Sequence, residues 1–338
     1  MIDDQHLAAA SPDLGVLVES GADIVRVRRL AASAAVRQGF SAAAAHVAER
    51  MATDMATHLV THHEAGRMLV RFADWDDRHG VELLLSTVNS GTHFGVDLTE
   101  RVLAPDLFEV YTAPGKGTVM LAQLWGGPAT GPSDRRFFVG SMSDPIAGEI
   151  VSGDAWAVEQ RGGRLVALVA DGLGHGEKAA AASTAAVSAF RAHHTEPVAN
   201  IAARLHDVLR PTRGAAIALA EIDGDAGEMR FCGIGNVTAR LLTAHGVVEL
   251  ISRYGIAGYQ TQRVRIVTQP WADDAMLVMH SDGLSSRWDP GAYPNLRLQH
   301  PQLAASTVMR DALRAHDDAL VTAVTAIAGT GSHDLGTG

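Results

Sequence analysis

The second half of the chain consists mainly of short apolar runs separated by Gly, Asp and Asn, a pattern typical of strands and tight turns. Two pairs of runs flank Gly162-Gly163 and Asp223-Gly224, which predicts β-hairpins. Two Ala-rich or amphipathic helices follow His175, ending near residues 193 and 209, and a third is predicted over residues 302–315. Strands before and after a central helix pair favour two sheets with helices outside. The predicted strands are residues 155–159, 164–170, 215–222, 229–234, 239–242, 247–251, 263–267, 275–280 and 319–327.

The first half has a different pattern, in which helices come first. A short strand at residues 16–18 precedes a helix over residues 22–37, and Ser41 is the predicted N-cap of a second helix. On that second helix Val47, Met51, Asp54 and His58 are spaced by four, three and four residues, so they share one face. The predicted strands of this half are residues 67–72, 81–87 and 119–124.

The clearest break in composition is the stretch 126–136, which is rich in Gly, Pro and Ser and has no apolar period. The sequence therefore predicts a first domain over residues 1–125, a linker over 126–143 and a second domain over 144–330. A length of 338 residues agrees with two domains at about 150 residues each.

Composition narrows the functional classes. Apolar residues make up 47% of the chain, which excludes a mostly disordered protein. The net charge of −10 argues against a general nucleic-acid binder. The single cysteine, Cys232, cannot form an internal disulfide, and we expect it to be a small buried strand residue. No apolar run is long enough to cross a membrane and the N-terminus lacks a basic signal region, so we expect a cytoplasmic protein.

Acidic residues stand where predicted strands begin or end. Asp154 opens one strand, Asp171 and Asp282 each close an apolar strand before a glycine, and the pair Asp317-Asp318 precedes the last strand. Two unpaired charges 4 Å apart cost about 4 kcal/mol at an effective dielectric constant near 20. Because no Lys or Arg adjoins the first three in sequence, divalent cations are the expected counter-charge, and all-oxygen ligands favour Mg²⁺, Mn²⁺ or Ca²⁺. The alternative for any one Asp-Gly is an ordinary turn.

Four motifs follow one another along the second half: Gly153-Asp154, Val169-Ala170-Asp171-Gly172-Leu173-Gly174-His175-Gly176, Ser281-Asp282-Gly283 and Asp317-Asp318-Ala319. In this order they resemble the motifs of SpoIIE-type metal-dependent serine/threonine phosphatases of the PPM superfamily, and among them the RsbX-like members. The likeness covers residues 144–328 and implies an α+β fold, an αββα sandwich of two antiparallel sheets flanked by helices. It implies two Mn²⁺ or Mg²⁺ ions, with Asp154 and Asp171 bridging them, the Gly172 carbonyl as a ligand, and Asp282 and Asp317 completing the site.

The same resemblance implies a phosphorylated protein as substrate. The expected reaction is hydrolysis of phosphoserine or phosphothreonine by metal-activated water, on a STAS-domain antagonist in a bacterial partner-switching pathway. His175 is either a catalytic residue, orienting a ligand or transferring a proton, or a histidine that caps or packs the loop. Asn236, after Gly235, is interpreted as a turn residue. The alternative function is a catalytically weak partner-switch protein that binds but does not hydrolyse.

The first half resembles the GHKL ATP-binding fold of anti-sigma-factor kinases, which implies a two-layer α/β sandwich. Asp54 and His58 stand where that family has Glu and Asn, and residues 87–91 replace its Asp-x-Gly-x-Gly. Gly115-Lys116-Gly117 keeps part of a phosphate loop without Walker A spacing. We therefore expect weak or absent ATP binding, no kinase activity, and a regulatory role in partner binding or homodimerisation.

Overall fold

The computed structural model describes residues 14–62, 64–75, 78–87, 105–127, 134–259, 264–314 and 316–327. The chain divides into two compact units, with the change from one to the other between Ser133 and Asp134. A short segment, Gly291–Pro294, is grouped with the first unit. The division falls inside the Gly- and Pro-rich stretch that the sequence marks as a break.

The first unit is an antiparallel five-stranded sheet with two helices packed on one face. The Oγ atom of Ser41 accepts the N–H of Ala44 at 3.2 Å, so the predicted N-cap is confirmed. The helix that it caps buries Met51 and Met55 against alternate sheet residues such as Leu83. The strands in spatial order are β1 (Leu14–Val18), β2 (Gly66–Trp75), β3 (Arg78–Thr87), β5 (Gly117–Trp125) and β4 (Leu107–Ala113), and the helices are α1 (Gly21–Arg37) and α2 (Ala42–Thr61).

The second unit contains two antiparallel five-stranded sheets packed face to face. Their shared core includes Leu165 and Val169 from one sheet and Leu277 and Leu320 from the other. In spatial order the first sheet is β13 (Val267–Pro270), β10 (Glu228–Ile234), β9 (Ala215–Asp223), β8 (Arg164–Gly172) and β7 (Asp154–Arg161). The second sheet is β12 (Gly246–Leu250), β11 (Thr238–Thr243), β14 (Met276–His280), β15 (Ala319–Ala326) and β6 (Phe137–Asp144).

Helices cover the outer faces of both sheets. Helices α3 (Glu177–His193) and α4 (Val198–Leu209) pack on the first sheet through an apolar cluster that includes Phe190 and Leu205. Helix α5 (Pro301–Ala312) lies against β6 and β15, and its Gln302 side chain bonds both backbone groups of Ser141 at 2.9 and 3.0 Å. The predicted αββα sandwich is therefore confirmed.

Three local predictions differ from the structure. The linker predicted over 126–143 is too long, because Phe137–Asp144 is strand β6 and pairs along its whole length with β15. Strand β4 was not predicted; its residues are mostly half-buried, so it lacks the strong apolar signal of an inner strand. Strand β13 starts at Val267, where a strand over 263–267 was predicted, and residue 263 lies outside the described residues.

Candidate active site

Asp154 and Asp171 face each other at one end of the first sheet. Strand β7 begins at Asp154, strand β8 ends at Gly172, and their antiparallel register pairs Asp154 directly with Asp171. Burial, and then the negative charge of Asp171, raise the pKa of Asp154 well above its usual range. Burial, followed by the charges of Asp282, Asp317 and Asp318, raises the pKa of Asp171 to about 8. The environment of each carboxyl group therefore disfavours its ionised form.

The second sheet brings two further carboxylates to the same place. Strand β14 ends at His280 and pairs antiparallel with β15, which begins at Ala319. Asp282 and Asp317, which follow and precede these strands, therefore meet. Burial, and next the charge of Asp317, raise the pKa of Asp282. The charges of Asp282, Asp317 and Asp318 all act on Asp171, whereas the role of these aspartates as metal ligands stays a prediction.

The two adjacent aspartates before β15 have different surroundings. Asp318 is only 2% exposed, and its two carboxylate oxygens accept the backbone N–H groups of Ile146 and Gly153 at 2.9 and 2.8 Å. Asp317 is half-buried and accepts the N–H of Asp318 at 2.9 Å. Asp318 therefore fixes the loop before β7, whereas Asp317 keeps carboxylate capacity for a ligand. The assignment of Asp317 rather than Asp318 as a metal ligand stays a prediction.

Ser281 holds Asp154 from the side of the second sheet, a role that the sequence analysis missed. Its fully buried Oγ donates to Oδ2 of Asp154 at 2.6 Å and accepts the N–H of Leu320 at 2.9 Å. A serine can do both because its hydroxyl is a donor and an acceptor. Its place between an apolar strand and Asp282-Gly283 was the only signal in the sequence.

Asn236 contacts the site as well as forming a turn. Its side-chain amide donates to Asp282, 46 residues away in the chain. Gly235 before it has φ of +93°, a conformation that favours glycine and turns the chain sharply after β10. The interpretation of Asn236 as a turn residue was incomplete, because this turn also places its amide on an acidic residue of the cluster.

A buried polar network lies behind Ser281 and Asp282. The indole N–H of Trp288 donates to Nε2 of His280 at 3.3 Å, so Nδ1 carries the proton that His280 donates to the carbonyl of Ser281 at 2.8 Å. Burial lowers the pKa of His280 to about 4, which keeps the ring neutral. Arg240 in turn donates to the carbonyl of Trp288 at 2.7 Å. The network fixes the backbone from which the Asp282 side chain extends.

Two glycines are required by close packing at the site. A Cβ atom on Gly172 would collide with the backbone of Ala179 in the first turn of α3. A Cβ atom on Gly283 would collide with the backbone of Asp318. The Gly172 backbone, at the end of β8, is therefore closely packed against α3. The role of its carbonyl as a metal ligand stays a prediction.

His175 lies in the loop between β8 and α3, and it is exposed. Its Nδ1 atom is 2.9 Å from Oε1 of Glu149, its one side-chain partner among the described residues. Gly176 leaves room for this pair, because a Cβ there would come within 3.1 Å of the Glu149 carboxylate. The structure does not join His175 to the four aspartates by a direct contact, so its catalytic role stays a prediction.

The donor chemistry of the cluster fits hard divalent cations, since it offers four carboxylates without nitrogen or sulfur ligands. Among the residues that the structure describes, no three His, Cys, Asp or Glu side chains are already drawn together as a metal cage. Instead Ser281 and Asn236 hydrogen-bond Asp154 and Asp282. Burial, and then the neighbouring carboxylates, still raise the pKa of Asp154, Asp171 and Asp282, so these hydrogen bonds do not fully offset the cost of ionising the three side chains.

The predicted nucleotide motifs of the first unit can be located only in part. Asp54 and His58 are half-buried on α2. Gly115-Lys116-Gly117 forms the tight turn between β4 and β5, closed by a bond from the N–H of Lys116 to the carbonyl of Ala113 at 3.0 Å. Residues 88–91, where the adenine-binding motif would stand, are outside the described part of the chain.

Comparison with known proteins bears on the second unit. The profile of the family described as Stage II sporulation protein E (SpoIIE) matches residues 161–334, just over half of the chain. The chain belongs to the SpoIIE family. It is a protein serine/threonine phosphatase of the PPM type, a metal-dependent class, as the sequence motifs implied. The matched region contains Asp171, Asp282 and Asp317 and begins after Asp154.

Individual relatives agree with this placement. The phosphoserine phosphatase RsbX of Bacillus subtilis is 27% identical over 141 residues, which is 41% of this chain and 70% of RsbX. A solved structure from work on the bacterial stressosome is 29% identical, with a TM-score of 0.52 over 56% of this chain and 100% of its own. RsbX with magnesium, at 21% identity, shares the fold with a TM-score of 0.50 over 58% of this chain and 98% of its own.

The family profile begins at residue 161, after the first unit, whose likeness to GHKL ATPases stays a prediction. Within the described residues, no helix combines the length and hydropathy needed to cross a bilayer.

Proposed function

We propose that the second unit removes phosphate from phosphoserine or phosphothreonine on a regulatory protein, with two Mn²⁺ or Mg²⁺ ions as cofactors. The observation that carries the proposal is the approach of Asp154 and Asp171 from one sheet to Asp282 and Asp317 from the other. Burial, and then the charges of neighbouring carboxylates, raise the pKa of Asp154, Asp171 and Asp282. The carboxylates of Asp154, Asp171, Asp282 and Asp317 and the Gly172 carbonyl would hold the ions.

When bound, such ions polarise the phosphoryl group and supply a nucleophilic water at neutral pH. The chain's own residues orient the ligands for this. Ser281 fixes Asp154 by its 2.6 Å bond, Asn236 holds Asp282, and Asp318 ties down the backbone on either side of the loop before β7. His175, steered by Glu149, is proposed to orient a group near the reacting phosphate or to move a proton.

The proposed substrate is a phosphorylated STAS-domain protein of a partner-switching pathway. The support is the likeness to RsbX, named as a phosphoserine phosphatase, and to a structure from the stressosome. For the first unit we propose a regulatory, partner-binding or dimerising role without kinase activity. Its only described glycine loop with a lysine is a hairpin turn rather than the start of a helix, where phosphate loops bind their ligand.

Hydrolysis of p-nitrophenyl phosphate and of a phosphoserine protein, with and without Mn²⁺, tests the reaction. We expect turnover that needs the metal, is lost with EDTA, and falls at least about a hundredfold in Asp171→Asn and Asp282→Asn. Asp207→Asn is the matched control, because Asp207 is exposed and pairs only with Arg210 on the described surface. Full activity in both site variants would refute the site assignment.

A further inference from the structure

A cavity of about 1230 Å³ opens beside the acidic cluster. Asn236, which bonds Asp282, lines it, and so does Leu173, two residues after Asp171. The cavity is larger than the few hundred to about 1,000 Å³ of most small-molecule sites, and therefore has room for a segment of polypeptide beyond one phosphate group.

The cavity has one charged lining residue among those described, Arg213. Arg213 is exposed and makes no ion pair or side-chain hydrogen bond with another described residue. Its guanidinium lies over the loop that follows Asp171, since a Cβ atom on Gly174 would come within 3.0 Å of its Nη1 atom. An arginine held over the loop that follows Asp171 is suited to bind an anion that approaches that loop.

The backbone around Arg213 is held firmly. The N–H of Leu173 donates to the carbonyl of Gly214 at 3.0 Å, which joins the Asp171 loop to the turn that carries Arg213. Ala215 and Ala257 exchange backbone bonds at 3.2 and 2.9 Å, and the hydroxyl of Tyr259 donates to the carbonyl of Thr212 at 2.9 Å. The arginine is thus presented from a braced turn rather than from a free loop.

One wall of the cavity is aromatic and apolar. Tyr254 is 93% exposed and Tyr259 60% exposed, and Ile256 lies between them in the chain. Exposed tyrosine rings next to a cleft are suited to pack against an extended polypeptide. The combination of one cation and this wall matches a phosphorylated residue with the chain that flanks it.

We propose that this cavity is the substrate cleft, in which Arg213 binds the phosphoryl group and Tyr254 packs against the flanking polypeptide. The inference rests on the proposed phosphatase function and adds to it the recognition of a phosphorylated peptide segment. Arg213 is a substrate-binding residue in this scheme, whereas the acidic cluster performs the reaction.

Steady-state kinetics of the full chain with Mn²⁺ on p-nitrophenyl phosphate and on phosphorylated casein test the proposal. We expect Arg213→Ala to raise KM for both substrates about ten- to a hundredfold, with kcat within threefold, because a charge-assisted hydrogen bond to phosphate is lost. Arg213→Lys should recover part of the affinity. Arg210→Ala, an exposed arginine three residues earlier that pairs with Asp207, should leave both constants within twofold.

Tyr254→Ala distinguishes the contact with the flanking polypeptide from the binding of the phosphoryl group. It should raise KM for phosphorylated casein about fivefold or more and leave KM for p-nitrophenyl phosphate unchanged. An equal effect on both substrates, or none, would overturn the assignment of Tyr254. Unchanged KM in Arg213→Ala would overturn the assignment of Arg213.

Binding of inorganic phosphate, followed by calorimetry, gives a readout that does not need turnover. We expect the parent protein to bind phosphate and Arg213→Ala to bind it at least tenfold more weakly, which would support the cleft assignment. Absence of hydrolysis of both substrates by the parent would then refute the proposed function and leave the cleft assignment in place. Equal phosphate binding by the parent and Arg213→Ala would refute the cleft assignment, whatever the turnover.

Discussion

Replacing Asp171 with asparagine should stabilise the metal-free protein while it abolishes catalysis. Asp171 sits opposite Asp154 and near two more carboxylates, and its burial and these charges raise its pKa from 3.8 to about 8. Below pH 3.8 the carboxyl is protonated in both the folded and the unfolded chain. As the pH rises above 3.8, the Asp171 carboxyl ionises in the unfolded chain but stays protonated in the folded chain. The free energy of unfolding therefore decreases progressively until about pH 8.

The size of the effect follows from the pKa shift. One pKa unit corresponds to about 1.4 kcal/mol, so about three units between pH 3.8 and pH 7 amount to about 4 kcal/mol as an upper limit. Asp171 is half-buried, and residual hydration reduces the cost. We therefore expect Asp171→Asn to be about 2–4 kcal/mol more stable at pH 7, or roughly 5–10 °C in melting temperature for a domain of this size.

Calorimetric melting of the full chain in EDTA at pH 5 and pH 7.5 measures this. The melting temperature of the second unit should fall between these pH values in the parent protein and fall less in Asp171→Asn, with Asp207→Asn behaving as the parent. Mn²⁺ at a hundredfold excess over its Kd should raise the free energy of unfolding of the parent protein at pH 7.5 by about 3 kcal/mol. The same Mn²⁺ concentration should stabilise Asp171→Asn much less. A variant less stable than the parent at pH 7.5 in EDTA would show that the carboxylates do not repel as argued.

Further predictions concern the residues around the cluster. Ser281→Ala leaves buried Asp154 without its hydroxyl donor and should lower stability by about 2–3 kcal/mol, measured by urea unfolding, with Ser285→Ala as control. Asp317→Asn should lose metal-dependent turnover at nearly unchanged stability, whereas Asp318→Asn should lower the melting temperature; the reverse pattern would make Asp318 the ligand. Burial lowers the pKa of His300 to about 4, so stability should fall as the pH drops from 6.5 to 4, by up to about 3 kcal/mol; His300→Asn should flatten that slope.

The sequence predicted the elements best where packing gives a strong local period. Helix α4 occupies residues 198–209 as expected, because its apolar residues repeat along one face and are buried together. Strand β4 was missed because its first four residues are only half-buried and include both apolar and charged side chains. Strand β6 was assigned to the linker because it directly follows the Gly- and Pro-rich stretch, although its partner, β15, lies about 180 residues later in the chain.

The acidic ligand positions could be predicted, whereas the groups that hold them could not. Each aspartate has a local signal, since it stands at the end of a predicted strand. Ser281 acquires its role only by meeting Asp154, 127 residues away, and Asn236 only by meeting Asp282. No periodicity along the chain encodes such a contact, because it depends on how the two sheets pack.

The different fates of Asp317 and Asp318 have a simple geometric cause. Consecutive residues that lead into a strand point in different directions. The charge of one of the two carboxylates, Asp317, raises the pKa of Asp282. The other turns toward the backbone of Gly153, next to Asp154, and accepts its N–H at 2.8 Å. Asp318 therefore links the start of β15 in one sheet to the start of β7 in the other. The Asp318 carboxylate is therefore engaged in holding the two sheets together at the site. Asp317→Asn should lower activity because a metal ligand is lost, whereas Asp318→Asn should lower activity because Asp154 is no longer held in place.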